Sequence, residues 1–358
     1  MPSNIHPAIS WSRSNPFPLS PVVDDAKWML IDKNNTNPKA SSKGQQVASS
    51  FVPAKATKRR CPDVDDQPIL PDAKRSKLAI SFVPASIGPT GLAWDGVNFS
   101  CAYDALFTIL HNIWCDNNAY WGNVFQEANQ YLSALSMGFN MYRHEGISIE
   151  DARDNVRHLL HKDNPTKFPM GAEYASAVEL ASAMCLLLKP VAASEFECIG
   201  CGHITPTKSE ISYFAELQRA ALRIQKSDTI AKILSRLMSM TSSRICPECK
   251  GAVQKNTYVE VAPKLLVLHL PYADVKINQK MKFCGQTMHL RGIVYYGSHH
   301  YTSRIIDNEG HVWFHDGMIT GKDMHSQGAA AKLKPKDFSS CNSGKIALLV
   351  YAQSHPCT

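Results

Sequence analysis

The chain has 358 residues, a net charge of +7 and 44% hydrophobic residues, which is typical of a globular protein. No apolar run is long enough to span a bilayer, and the N-terminus lacks a basic-then-apolar secretion signal. We therefore expect an intracellular, non-secreted protein without a membrane partner. In a reducing compartment its eleven cysteines are expected to be thiols, metal ligands or nucleophiles rather than disulfides.

Residues 1–88 are predicted to be a disordered basic tail. The first 90 residues hold twelve of the 21 prolines, and 12 Lys and Arg against 7 Asp and Glu. Two basic clusters, 58–60 and 74–77, resemble a bipartite nuclear import signal, with a solvated tail as the alternative. A nuclear or cytoplasmic location follows. The rest of the chain is close to neutral, so nucleic acid is not an expected partner there.

Helices dominate the first half of the remaining chain. Apolar residues at helical spacing predict a helix over 101–114, and Ser148 is a plausible N-cap for a helix ending at His161. Two further helices are predicted over 173–188 and 209–240, the second with an apolar face that includes Phe214, Leu217, Ala221 and Ile224.

Strands dominate the second half. The strand candidates are 257–270, 287–296, 301–306, 312–314 and 346–351, with a turn at 308–310. Helices followed by an antiparallel sheet indicate the α+β class.

Three chemistry-bearing residues occur in the order used by papain-type cysteine proteases. Cys101 begins the first predicted helix, where the helix dipole favours a thiolate, although Asp104 opposes this if its carboxylate points the same way. Either His299 or His300 is a candidate base, and Asp316 is a candidate orienting acid. The turn at 308–310 would bring Asp316 beside the strand that carries His300. A buried structural thiol is the alternative interpretation of Cys101.

An oxyanion hole would use the backbone N–H of Cys101 and a donor upstream of it. Asn98 is the side-chain candidate by residue type, although an asparagine in a loop is also a common turn former.

Two Cys-x-x-Cys pairs form a second constellation. Cys198, Cys201, Cys246 and Cys249 have the spacing of a tetrahedral zinc site in which four thiolates leave no position for water. The expected cofactor is therefore structural zinc. The residues between the pairs would form a lobe, at about 195–255, closed by the metal.

These motifs together resemble the catalytic domain of ubiquitin-specific proteases, in a divergent form similar to ubiquitin/SUMO isopeptidase-like proteins. Residues 98–106 look like the cysteine box of that family, and 263–270 look like the strand leading into its palm. Residues 290–303, followed by Trp313 and Asp316, look like its histidine box. The catalytic histidine of the family directly precedes a tyrosine, which selects His300.

The resemblance covers residues 91–352, about three quarters of the chain. It implies a papain-like cysteine protease fold over 89–355, with a helical thumb, an antiparallel β palm and zinc-bearing fingers. It also implies a monomer that acts on conjugates of ubiquitin or a SUMO-like modifier. The family's oxyanion asparagine corresponds to Gly96 here, and His299 replaces the usual glycine before the catalytic histidine.

The predicted function is thus a thiol isopeptidase that cleaves the bond between the C-terminal Gly of the modifier and a substrate lysine. One alternative is an inactive module of the same fold that binds such a modifier. Another is a nuclear zinc protein that binds nucleic acid through its tail.

Overall fold

A computed structural model of the chain describes residues 88–210, 212–217, 222–271 and 275–353, without the side chains of 206–208 and 210. The tail predicted over 1–88 therefore lies almost entirely outside the described residues, as do Cys61, Cys357 and the two basic clusters. No helix in the described ranges has the length and apolar character needed to cross a membrane.

Five helices come first along the described chain. They are α1 Cys101–Asp116, α2 Asn118–Ala128, α3 Gln130–Glu145, α4 Ile149–Asp163 and α5 Ala177–Met184. A sixth, α6 Ile230–Met238, lies between strands. In α4 the predicted cap forms a complete capping box: Ser148 accepts from the Asp151 N–H, and Asp151 accepts from the Ser148 N–H. Two of the backbone donors at the start of α4 that lack an intrahelical acceptor are thereby satisfied.

Strands make up most of the rest. They are β1 Ala192–Cys198, β2 Ile204–Glu210, β3 Phe214–Glu216, β4 Ser239–Ile245, β5 Ala252–Val259, β6 Leu265–His269 and β7 Lys280–Phe283. The later strands are β8 Gln286–Gly297, β9 His300–Ile306, β10 His311–His315, β11 His325–Ala329, β12 Ser340–Cys341 and β13 Gly344–Gln353.

Two sheets result. The small sheet has the order β2-β1-β5-β4 and is antiparallel throughout. The large sheet has the order β11-β10-β9-β8-β13-β6-β3, with β7 paired to β8 and β12 paired to β13. Only the β3–β6 pair among these is parallel. The α+β class expected from the sequence is confirmed.

The large sheet has a core on each face. Leu348 and Val350 of β13 pack with α1 to α5, whereas Leu349 and Tyr351 face the second core with α6. This alternation follows from the two-residue period of a strand. On the helical side, α1 approaches the sheet at Gly292, where a Cβ atom would come 2.5 Å from Cγ2 of Ile109. A glycine in β8 thus allows the helix that begins at Cys101 to lie close against the sheet.

Three sequence-based element predictions are wrong. The helix predicted over 209–240 is not continuous in the part of that range that the structure describes: 230–238 form α6, but Phe214 lies in β3, and Leu217 donates its backbone N–H to the carbonyl of His269. Residues 173–188 are helical only over α5. The strand predicted over 257–270 is two strands in different sheets, β5 and β6, separated by a segment containing Pro263. Proline lacks the N–H that a continuous ladder needs.

Candidate active site and metal centre

Cys101 is the first residue of α1 and is only 4% exposed. Ser100 occupies the N-cap position, but its side chain does not cap the helix. Its hydroxyl donates to Oδ2 of Asp104 at 2.6 Å and accepts from the Asp95 N–H at 2.7 Å. Ser100 therefore ties the loop before Cys101 to the first turn of α1.

Asp104 is buried and its carboxylate pairs with Arg153 of α4. The negative charge that opposes a thiolate at Cys101 is thus neutralised by a guanidinium. Arg157, one turn further along α4, donates to the backbone carbonyl of Asn98 at 2.5 Å and stacks over the Tyr103 ring. Neither arginine was singled out in the sequence. Their signal is positional, because both fall on the buried stripe of α4.

His300 and Asp316 lie together, with Nε2 of His300 2.8 Å from Oδ1 of Asp316. The antiparallel pairing of β9 with β10, in which Ser303 faces His315, brings both residues to the same end of the two strands. Since Nε2 is occupied by Asp316, Nδ1 is the nitrogen left for Cys101, whose side chain lies near enough to His300 to raise the pKa of the imidazole. The structure thus brings all three predicted triad residues together, with His300 hydrogen-bonded to Asp316 and Cys101 beside the imidazole.

The electrostatics of His300 favour its charged form. Burial alone would lower the pKa of His300, but its hydrogen bond to Asp316, the negative charge of Asp316 and the neighbouring Cys101 raise it to about 9. Burial pushes the pKa of Asp316 upward, yet the hydrogen bond from His300 and the backbone N–H groups of Met318 and Ile319 bring it below its usual value. At neutral pH the pair is therefore an imidazolium and a carboxylate.

Asn98 is placed in the loop before Cys101, but its side chain already serves that loop. Its Nδ2 donates to Asp95 at 2.7 Å, and its Oδ1 accepts from the Gly171 N–H at 3.0 Å. An amide nitrogen carries two hydrogens, so one Nδ2 hydrogen remains for another acceptor. The oxyanion role of Asn98 stays a prediction. The backbone N–H of Cys101, at the start of a helix, is the other donor.

The second histidine, His299, does not share the position of His300. Its ring lies 6.3 Å from the ring of Tyr174, which in turn lies 4.9 Å from the ring of Phe99. Tyr174 is exposed and belongs to the connection between α4 and α5. The position of Tyr174 beside the site was not predicted, because no pattern in the local sequence indicates that this connection packs against the hairpin of β8 and β9.

The four predicted zinc ligands meet at the end of the small sheet. Their sulfur atoms all lie within 4.8 Å of one another, with 3.3 Å between Cys198 and Cys249 and 3.7 Å between Cys201 and Cys246. Sulfur atoms around a tetrahedral zinc ion are about 3.8 Å apart, given a Zn–S bond of about 2.3 Å. The arrangement fits zinc. A hydrogen bond from the Cys201 backbone N–H lowers the pKa of the Cys198 thiol, whereas the neighbouring sulfur atoms of Cys249, Cys198 and Cys246 raise that of Cys201, as expected for thiols that share one site.

The lobe around this centre contains fewer of the residues between 195 and 255 than predicted. Its strands come from 192–210 and 239–259, but β3 and α6, which lie between the two cysteine pairs, belong to the large sheet and its second core. Its own apolar cluster among the described residues is Phe196, Cys198, Cys246 and Val253. Two of these four residues are metal-ligand candidates, so the ligand set is a large part of what holds the small sheet together.

No protein-family model matches the chain, and no curated protein matches it. Among solved structures, the chain is similar to the SAGA DUB module of Ubp8, Sgf11, Sus1 and Sgf73 bound to monoubiquitin. The identity is 14% and the TM-score 0.49, with 74% of this chain and 69% of that chain covered. The same module bound to ubiquitin aldehyde gives 13%, 0.47, 74% and 70%. A yeast SAGA DUB module with a mutant Sgf73 gives 13%, 0.44, 74% and 68%. Similarity at this level does not assign a family.

Proposed function

We propose that the protein is a thiol-dependent isopeptidase. The observation that carries this proposal is the 2.8 Å contact between His300 and Asp316 with Cys101 beside it, which supplies a nucleophile at a helix start, a base and an orienting carboxylate. A structural role for the thiol alone would not require a charged histidine held on its other side by a buried acid.

In the proposed reaction, the Cys101 thiolate attacks the carbonyl carbon of the isopeptide bond. The C–N bond then breaks, and His300 gives its proton to the leaving lysine amine. A thioester remains on Cys101. Water then attacks this thioester, and His300 takes a proton from the water. The modifier leaves with a free C-terminal carboxyl group, and the Cys101 thiolate and the protonated His300 are restored. Asp316 holds the imidazole in one tautomer and stabilises its charged form throughout.

The substrate class rests on the sequence resemblance. The cysteine and histidine boxes, at 98–106 and 290–303, resemble those of ubiquitin-specific proteases, which implies a conjugate of ubiquitin or a ubiquitin-like modifier. The 4% exposure of Cys101 supports a thin, extended substrate segment such as a C-terminal glycine. The zinc lobe and the large sheet would hold the globular body of the modifier, and this remote binding energy would place its tail at Cys101.

The test is reaction with ubiquitin, SUMO and related modifiers that carry C-terminal thiol-reactive groups. We expect a covalent adduct with one modifier that is absent in Cys101→Ala. Cys115→Ser is the matched control, because Cys115 is an exposed thiol on the same helix and its loss should leave the adduct unchanged. An adduct that persists in Cys101→Ala would contradict the assignment of the nucleophile.

A non-catalytic modifier-binding module is the second candidate. It is favoured by Gly96, which stands where the family has its oxyanion asparagine, and by the engagement of the Asn98 amide with Asp95 and Gly171. Binding of an unreactive modifier by zinc-loaded protein, with no adduct and no hydrolysis, would support this candidate over the first. A nucleic-acid role and nuclear import stay predictions about the tail. Salt-dependent DNA binding that disappears on deletion of 1–88 would support the former.

A further inference from the structure

The hairpin that presents His300 has an unusual turn. Gly297 pairs with His300 across a two-residue turn, Ser298 and His299, whose φ angles are +51° and +60°. Two-residue turns with both φ angles positive prefer Asn-Gly, because few side chains tolerate left-handed backbone. Neither Ser298 nor His299 is an asparagine or a glycine. Such a conformation persists only where neighbouring groups hold it, and it is concentrated at functional sites.

Tyr174 is the neighbour that contacts this turn. Its ring joins the His299 ring on one side and the Phe99 ring on the other. Phe99 also has a positive φ, +42°, and lies two residues before Cys101. These three rings, called here the aromatic bridge, therefore connect the loop that carries the nucleophile with the hairpin that carries the base.

The segment that bears Tyr174 is fixed on both sides of that ring. Before it, the Gly171 N–H donates to Asn98 in the cysteine loop. After it, Ser176 and Ala177 lie close enough to the Tyr301 hydroxyl, on the residue next to His300, to oppose the rise of its pKa on burial. Tyr174 itself is 60% exposed. A ring that is so exposed contributes little to the hydrophobic core. Its described ring contacts are with Phe99 in the loop before Cys101 and with His299 in the hairpin turn.

We propose that Tyr174 is a positioning residue that acts through His299. By contacting His299 and Phe99, its ring holds the left-handed turn and sets the distance between Cys101 and the imidazole of His300. One edge of that imidazole is fixed by Asp316, so a rotation of the backbone at His299 would move the other edge away from the thiol. The catalytic relevance of this distance rests on the proposed function, but the geometric claim does not.

The physical expectation is a loss of reactivity without a loss of folding. A displacement of about 1 Å between reacting groups lowers rates by up to about 10²-fold. We expect Tyr174→Ala to slow alkylation of Cys101 by iodoacetamide by roughly 10-fold, followed by mass spectrometry of the Cys101 peptide. Tyr174→Phe, which keeps the ring, should stay within about twofold of the original protein. Tyr258→Ala, an exposed tyrosine of the small sheet, is the matched control and should change nothing at Cys101.

The decisive comparison uses His299→Gly. Glycine adopts positive φ without strain, so this variant should hold the turn without help from Tyr174. Adding Tyr174→Ala to His299→Gly should then slow alkylation by no more than about twofold. An equal effect of Tyr174→Ala in both backgrounds would overturn the proposal, as would a slow Tyr174→Phe variant.

Modifier hydrolysis separates this proposal from the proposed function. If the protein hydrolyses a modifier, Tyr174→Ala should lower kcat and leave KM within about twofold, since a positioning role does not touch the substrate. A change in KM alone would overturn it in favour of substrate contact. If no modifier is hydrolysed but the alkylation pattern holds, the isopeptidase assignment fails while the positioning role stands. If hydrolysis occurs and neither assay responds to Tyr174→Ala, the positioning role fails while the isopeptidase assignment stands.

Discussion

Nη1 of Arg153 lies 2.8 Å from Oδ1 of Asp104, and each of these side chains is only 3% exposed. The same nitrogen donates to the backbone carbonyl of Ala93 at 2.8 Å. Burial alone would lower the pKa of Arg153, but contacts with Asp154 and Asp104 raise it. Burial raises the pKa of Asp104, and Arg153 and the Ser100 hydroxyl oppose that rise. The guanidinium keeps its proton in proteins, and its charge 2.8 Å away favours the ionised form of the Asp104 carboxyl against the effect of burial.

Asp104→Asn should therefore lower the stability of the whole domain. This substitution leaves only the partly exposed Asp154, 2.8 Å from Nε of Arg153, to balance the buried guanidinium, so we expect a loss of about 1–3 kcal/mol. Urea unfolding measures this loss. The control is Lys167→Gln, which breaks the exposed ion pair with Glu179 and should change the free energy of unfolding by no more than about 1 kcal/mol. Equal effects of the two substitutions would contradict the importance of the buried pair.

The second prediction concerns pH. His300 is protonated below its pKa of about 9, so reactivity that depends on its charged form should fall as pH rises through about 9. Its raised pKa also contributes stability that is complete below the unfolded value of 6.5 and is lost through the same upper range. Asp316→Asn removes the hydrogen-bonded negative charge, so the alkaline limb should move down by about one to two pH units.

The measurement is the pH profile of kcat/KM for modifier hydrolysis, in which His300 must protonate the leaving amine, with Asp323→Asn as the control because Asp323 is an exposed acid in the same connection. In a hydrolysis assay, Asp316→Asn should also lower kcat by about 10²-fold. An unmoved alkaline limb would show that Asp316 does not govern the titration of His300.

Metal removal gives the third prediction. We expect about one zinc ion per chain, bound by the four cysteines. Cys246→Ser should abolish this stoichiometry and raise hydrogen exchange in β1, β2, β4 and β5, because the small sheet has little apolar core of its own. Exchange in α1 and α3 should stay slow, since both helices pack in the first core. Cys115→Ser should retain the metal, and full zinc content in Cys246→Ser would exclude this ligand set.

A close contact behind Asp316 gives the fourth prediction. A Cβ atom at Gly91 would overlap the imidazole of His315, the residue before Asp316, whose Nε2 lies 3.0 Å from the Gly321 carbonyl oxygen. Gly91→Ala should displace that ring and with it Asp316, at a cost of about 1–3 kcal/mol in stability and a greater relative loss in Cys101 reactivity.

Gly88→Ala is the control for this contact, because a Cβ atom there lies at an ordinary 3.6 Å from Trp313. Circular dichroism during thermal unfolding and the alkylation rate together measure both effects. Unchanged reactivity in Gly91→Ala would mean that the loop relaxes without moving Asp316.

Local signals explain what the sequence predicted well. The helix that begins at Cys101 has apolar residues at helical spacing, and the α4 start is encoded by Ser148 and Asp151 within four positions. The type and spacing of the four zinc-ligand cysteines are equally local, apart from the distance between the two pairs. For the same reason His300 and Asp316 were within reach, since one short turn joins their strands.

The failures share a non-local cause. Leu217 and Ile224 are buried, as their spacing in the predicted helix required, but they pack in the second core from a strand end and a turn. Pairing of Phe214 with Val267, more than fifty residues away, decides the strand there. Likewise, the connection bearing Tyr174 is placed by contacts with two hairpins and loops far away in sequence. A periodic pattern specifies burial, whereas the partner across the core specifies the element.

The position of β13 also has a consequence for the order in which the molecule becomes complete. This strand follows all the others along the described chain, yet it lies between β8 and β6 in the middle of the large sheet. Until Gly344–Gln353 leaves the ribosome, the strands β8 to β11 are not joined to the pair β6 and β3. The sheet that packs against α1 is therefore incomplete. The Cys101 thiol is synthesised early and the strand that completes the sheet behind its helix is synthesised late, so a nascent chain carries this thiol before the supporting sheet is assembled.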